Sequence, residues 1–438
     1  MKRILTLSAC AVMAFVATAQ MQIQVPNLEK LRNDVAKSDA DIANPKKREN
    51  PKTWIQRAEK LVSVHEKSTM GAAQEMHKAI FATLTKDTKT EALDGVEYEV
   101  LIFPNIDLYF DQRGMLALWN EKETATDRPL SQAYSAYLKA IELDVKGAQA
   151  KKLKEGLTTL AAKLRIEGVN AYTRNSYKLA QQYFMESVEA LSQPLVGRVD
   201  TIIAYYAGIV SLNEEILDYD NAIRYLKFCL DNSYFEDGNV YSNLAKAYRA
   251  KGDSITQEQL LTEGFVRFPS NQAILIELIN LYLNSGEEAT KVIPYLKQAQ
   301  ENEPTNATLY FAEATLYEKL KMMNDAERMY LRTIEVDPSS YNAYYNIGAL
   351  YYNKAVEYIK EAGEIKDWRS PKIKELEALA NEEFKRSLVP FTKAHELQPN
   401  DKYALENVKN IYFRFRDESK EMMDKYNEYN DKYTKLQQ

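Results

Sequence analysis

Residues Asn306 to Ser340, NATLYFAEATLYEKLKMMNDAERMYLRTIEVDPSS, read as two short amphipathic helices joined by a tight turn and closed by a proline. The first predicted helix carries Tyr310, Ala314 and Tyr317, a bulky, small, bulky run at helical spacing. Lys321 to Asp325 is the predicted turn. The second helix carries Ala326, Tyr330 and Thr333, and Asp337-Pro338 ends it, because a residue before proline is pushed out of the helical region. Ala314 and Ala326 let the two helix axes approach closely. Tyr310, Tyr317 and Tyr330 fill the gaps between this pair and its neighbours.

Working outward, the same pattern recurs on both sides, with Pro269 and Pro304 preceding Pro338 at nearly even spacing. A bulky and small alternation at this period resembles the tetratricopeptide repeat, a helix-turn-helix unit of about 34 residues. A fourth unit has Tyr241, Leu244, Ala245, Tyr248, Gly252-Asp253 and Leu261; a fifth has Leu278, Tyr282, Gly286, Leu296 and Ala299. The second has Gly168, Tyr172, Tyr177, Ala180, Phe184 and Ser187. The third is clear only in its second helix, at Tyr219, Ala222, Leu226 and Cys229. The first unit, Trp54, Ala58 and Leu61 with Ala133, Tyr137 and Ala140, is split by an insertion at 66–128. The seventh, Tyr344, Gly348 and Tyr351 with Phe391, Ala394 and Pro399, is split by one at 355–386. The resemblance implies an all-α fold, a right-handed α-solenoid of about seven helix pairs over residues 51–400, with 401–438 as capping helices.

The first insertion holds the only strand-like letters. Ile106–Phe110 and Met115–Trp119, around the turn Asp111-Gln112-Arg113-Gly114, read as a β-hairpin, with Val96–Phe103 as a candidate third strand. Met70–Thr85 before it reads as a helix. A hairpin alone is marginal in water, so it should lean on the helices through Phe103, Leu108 or Trp119. It is either a structural cap or the specific contact surface. The second insertion reads as an elongated helical hairpin, broken at Trp368-Arg369-Ser370-Pro371. The tail gives two more helices, the last mostly polar, as an array needs to close its open end.

At the N-terminus, Lys2-Arg3, an apolar run from Ile4 to Val16 and Ala17-Thr18-Ala19 have the three parts of a secretory signal peptide, residues 1–19. Cys10 lies in letters that resemble a lipoprotein box. Only Ile4–Leu7 would precede it, too short an apolar core, so export without a lipid anchor is the expectation. Residues 20–50 are polar and read as a loose leader. No later run is long and apolar enough to span a membrane. The expectation from these signals is a chain exported to the periplasm or envelope of a Gram-negative bacterium.

The formal net charge is −6, about −8 once Lys2 and Arg3 are removed, which argues against nucleic acid, since that partner needs a basic footprint. With Cys10 gone, Cys229 has no partner for a disulfide and reads as a buried thiol in the third unit. Three histidines, His65, His77 and His395, show no third ligand at a metal spacing, so no metal or cofactor is expected. There is no GxSxG, no phosphate-cradling glycine loop and no positive sign of an enzyme.

The resemblance also implies a concave groove lined by the first helix of each unit, where extended peptides or partner helices lie. Its positions here would be Arg165, Tyr206, Asn213, Lys246, Arg249, Asn280, Asn284, Phe311, Thr315, Tyr345, Tyr352 and Asn353. Tyr and Arg dominate binding hot spots, and Asn can bond a peptide backbone through both amide groups. A carboxylate clamp of the chaperone-docking type is not expected. Asn243 and Asn346 match one of its positions, but Ser242 and Tyr345 stand where it needs lysine. The expected function is an exported, non-catalytic scaffold for a protein or peptide partner. The alternative is a glycan-binding or envelope-assembly component that uses exposed aromatics.

Overall fold

A computed structural model describes residues 24–93, 95–284 and 289–436. The expected signal peptide, with Cys10, lies outside the described residues. By its internal contacts the chain divides into two units. The first holds the described residues up to Glu236 together with Lys246–Asp253; the second holds Asp237–Ala245 and the chain from Ser254 onward.

In the first unit, α1 (Leu28–Ala43), α2 (Pro51–Ser68) and α3 (Pro129–Leu143) precede the pairs α4 (Ala150–Thr173) with α5 (Tyr177–Ser192) and α6 (Thr201–Ser211) with α7 (Tyr219–Asp231). The helix starts are written locally. The Asn50 side chain accepts from Lys52 N–H, and Pro51 sits at the first helical position, where no N–H is missed. The polar segment expected to be a loose leader contains α1, a correction with a simple cause. Leu31 and Val35 are spaced four apart on an otherwise charged helix, and both are buried against a core that includes Ile55 and Leu61 of α2. Two buried aliphatics in sixteen residues are too few to register as a stripe.

The helix pairing rests on close approach, and Gly168 shows why. A Cβ built there would stand 2.5 Å from the Phe184 ring. Helices α4 and α5 therefore touch where α4 has no side chain. The third pair, unclear in its first half from sequence, repeats the device with Gly208 of α6 under Leu226 of α7.

The insertion between α2 and α3 is a four-stranded antiparallel meander: β1 (Thr88–Leu93), β2 (Val96–Ile102), β3 (Ile106–Phe110) and β4 (Leu116–Glu121), in that order. The expected hairpin is β3–β4, with Leu108 opposite Trp119, and the candidate third strand is β2. β1 was not anticipated, because Thr88-Lys89-Thr90 is exposed and polar and shows no alternation. Met70–Thr85, expected as a helix, is irregular apart from a single 3-10 turn at Lys78–Ile80. Met70, Gly71 and Glu75 have positive φ, which no helix tolerates. Phe81, Phe103, Ile106, Leu108, Phe110 and Trp119 form the sheet's core, and Ile166 of α4 packs on it. The sheet leans on the helices through the side expected.

The second unit contains the pairs α10 (Gln272–Asn284) with α11 (Ile293–Asn302), α12 (Ala307–Lys319) with α13 (Met323–Val336), α14 (Tyr341–Glu364) with α15 (Pro371–Leu397), and α16 (Lys402–Phe415) with α17 (Lys420–Leu436). Helix α8 (Asn239–Ala250) begins in it and α9 (Ser254–Arg267) lies in it, so seven pairs precede the two tail helices, as the repeat predicts. Ala314, Tyr317, Ala326, Tyr330 and Tyr351 share one core cluster. The turn after α12 is shorter than expected, since Asn324 and Asp325 already belong to α13. Helices α14 and α15 are the predicted long hairpin, broken at Ile365–Ser370. Tyr429 of α17 stacks on Tyr412 of α16 at 5.4 Å and closes the run.

Candidate functional site

The positions expected to line a groove fall into three groups. The aromatic ones spend much of their surface on neighbouring helices: Tyr206 on the preceding pair, the other three inside their own. Tyr206 stacks on Phe184 at 5.8 Å, Phe311 lies against Tyr330 at 5.7 Å, Tyr345 meets Phe391 edge-on at 5.5 Å, and Tyr352 meets Phe384 at 5.0 Å. Among the polar ones, Asn213 falls beyond the end of α6, where its side chain accepts from Glu215 N–H in a turn. Thr315 donates to the Ala312 carbonyl one turn back, and Arg165 lies 3.7 Å from Asp200. Lys246 and Asn280 are half-buried, while Arg249 and Asn353 are exposed. The side chain of Asn284 lies outside the described residues. Asn346 of the clamp comparison donates to the Tyr330 hydroxyl at 3.1 Å, inside the packing.

The second unit holds an open cleft of about 750 Å³ over α11, α12 and α13. Its floor is the accessible edge of Tyr310 and Tyr317 with Glu313, whose carboxylate accepts from Gln300 at 2.7 Å. Burial and the Glu313 carboxylate push the Tyr317 hydroxyl up to about 12. Lys297 of α11 and Arg328, Arg332, Glu327 and Glu335 of α13 also line it. At about 100° per residue, this face of α12 lies roughly 150° round the helix from Phe311 and Thr315. The cleft is therefore on a different face from the predicted groove.

A second feature sits where the sheet meets the helices. Trp119 of β4 donates its backbone N–H to the Asn170 side chain at 3.0 Å and its indole N–H to Glu167 Oε1 at 3.1 Å. Asn170 Nδ2 donates to the other Glu167 oxygen at 3.3 Å. His65 of α2 places Nε2 3.3 Å from Glu167 Oε1, and Glu121 at the end of β4 completes a group whose ligand atoms all lie within 4.8 Å of one another. Burial dominates the electrostatics here. It pushes Glu167 up to about 8, helped by the neighbouring Glu121 charge, and pushes Glu121 up to about 7 against the pull of Arg174. His65 is pushed down to about 3, by burial first and then by Lys163, so the ring is neutral near pH 7, the form of imidazole that ligates metals. Among the described residues, these three are the group of side chains that could hold a metal ion together.

His65 and His77 lie only 12 residues apart in the sequence, with no third ligand at a metal spacing. The structure separates them: His77 caps the 3-10 turn by accepting from Ala79 N–H. His395 is buried and edge-on to Tyr429. The partners of His65 come from far along the chain. One signal was present, because Glu167 falls in the apolar stripe Leu153, Leu157, Leu160, Leu164 and Ala171 of α4, and a carboxylate on a buried stripe asks for a partner.

No protein-family model matches the chain, and no curated protein matches it. Among solved structures, a TPR-repeat protein from Bacteroides fragilis is 20% identical, covers 57% of this chain and 97% of its own, and has a TM-score of 0.30. A tetratricopeptide repeat protein from Parabacteroides merdae is 15% identical, covers 57% and 98%, and has a TM-score of 0.37. MamA is 19% identical, covers 46% and 95%, and has a TM-score of 0.32.

Proposed function

We propose that the chain is a non-catalytic scaffold, exported to the cell envelope, whose helix pairs hold an extended segment of a protein partner. The observation that carries this reading is the open cleft of the second unit. Tyr310 and Tyr317 line it together with three cationic side chains (Lys297, Arg328, Arg332) and three carboxylates (Glu313, Glu327, Glu335), a mixed lining suited to an extended peptide that carries both charges.

The test is affinity capture and crosslinking from the native envelope, comparing the intact protein with an Arg328→Ala, Arg332→Ala double variant. Both arginine side chains are about half exposed, so their removal should leave the melting temperature within a degree or two. A partner captured by the intact protein and lost with the double variant supports the cleft. A partner retained at full yield returns attention to the first-helix positions that remain exposed, such as Asn353. Tyr345→Ala is the wrong probe, since that ring packs on Phe391.

One observation favours the glycan reading. Trp368, at the tip between α14 and α15, is 76% exposed, with the Arg369 guanidinium over its ring at 4.8 Å. Binding of an envelope glycan that disappears in Trp368→Ala would support it, and a glycan array with no signal would remove it.

A further inference from the structure

We propose that His65, Glu121 and Glu167 bind one transition-metal dication of the Zn²⁺ type, which fastens the β-sheet to α2 and α4. The three side chains arrive from three separate elements and converge at one buried point; His65 is 8% exposed and Glu167 6%. A tetrahedral ion with bonds of about 2.0–2.2 Å holds its ligand atoms roughly 3.3–3.5 Å apart. The observed spacing of His65 Nε2 from Glu167 Oε1 is 3.3 Å, and Glu121 needs to close by about an ångström or so.

The surroundings have the form of an outer shell. Trp119 Nε1 and Asn170 Nδ2 each donate to one Glu167 oxygen, which fixes the carboxylate's orientation. The nearby Arg174 guanidinium is turned to the Asn120 side chain, to which it donates at 2.5 Å. A buried carboxylate and a half-buried one beside an imidazole are costly as ions, and a dication neutralises both at once. One nitrogen and two oxygens from the protein leave a fourth position for water. That set suits zinc-like ions; magnesium and calcium ask for six or more oxygens.

The test uses the full chain, untagged and stripped with chelator, titrated with Zn²⁺ by calorimetry and followed by melting temperature. The expected result is one Zn²⁺ per chain, a rise in melting temperature, and no matching response to Mg²⁺. Glu121→Gln and His65→Gln should each weaken binding by more than about 100-fold, whereas His77→Ala should leave it unchanged. Absence of saturable binding, or equal affinity in both cluster variants, overturns the proposal. Should either variant fail to fold, zinc-edge X-ray absorption of the wild-type complex decides: one imidazole among oxygens supports the site, and a sulfur or several imidazoles overturns it.

Discussion

Lys321 occupies a left-handed backbone conformation, with φ near 62°, and the reason lies in hydrogen bonding at the end of α12. Its N–H bonds the Glu318 carbonyl at 3.0 Å, and Met322 N–H reaches back to Tyr317 at 2.9 Å. This satisfies carbonyls that a helix terminus leaves unpaired. Asn175 and Gly252 make the same two bonds after α4 and α8, so one turn closes the first helix in three different pairs. Only Gly252 adopts the conformation without a Cβ penalty. Lys321→Gly should therefore stabilise the protein by about 0.5–1 kcal/mol, and Gly252→Ala should destabilise it by about as much, read from urea midpoints. Cys229 gives a second prediction at this scale. Its thiol is buried, donates to the Thr201 carbonyl at 3.5 Å, and is pushed by burial up to about 12. An alkylating reagent at pH 8 should leave it untouched in the folded protein and modify it fully in denaturant. Rapid labelling of the native chain would contradict the packing described.

At the scale of elements, what the letters revealed depended on whether packing leaves a periodic trace. Helix pairs are held by small residues opposite large ones, and that alternation is visible one chain position at a time. Ala326 was picked out this way and is fully buried in the α12–α13 core. Ala326→Leu should cost about 1–3 kcal/mol by overpacking. Gly168→Ala should be worse tolerated than an exposed alanine change, because Phe184 would have to move. If thermal melts showed either variant unchanged, the pairing would be wrong. The elements missed were those with little apolar content. Helix α1 contributes two buried aliphatics, and β1 is an exposed edge. The false helix at Met70–Thr85 has helix-forming letters but is committed to positive φ at three points within six residues, which propensity cannot see.

At the scale of the whole molecule, the repeat was legible because every unit states the same contact again, and seven weak statements agree. Sites do not repeat. The groove positions were carried over from a family resemblance, and aromatic ones such as Tyr345 and Tyr352 are engaged in packing that a repeat template does not distinguish from exposure. The His65, Glu121 and Glu167 group was invisible for another reason: its members belong to three elements with unrelated spacing, and only the docking of the sheet brings them together.

That docking also imposes an order in time. The strand residues ending at Glu121 are made before their support, since Trp119 takes its partners from Glu167 and Asn170, 48 and 51 residues later. At about 5–20 residues per second, a nascent chain carries VEYEVLIF and IDLYF without their helical backing for several seconds. Such segments are prone to pair with other chains while their edges are open. A fragment ending at Thr126 should thus precipitate, and one ending at Ser192 should remain in solution with its sheet formed.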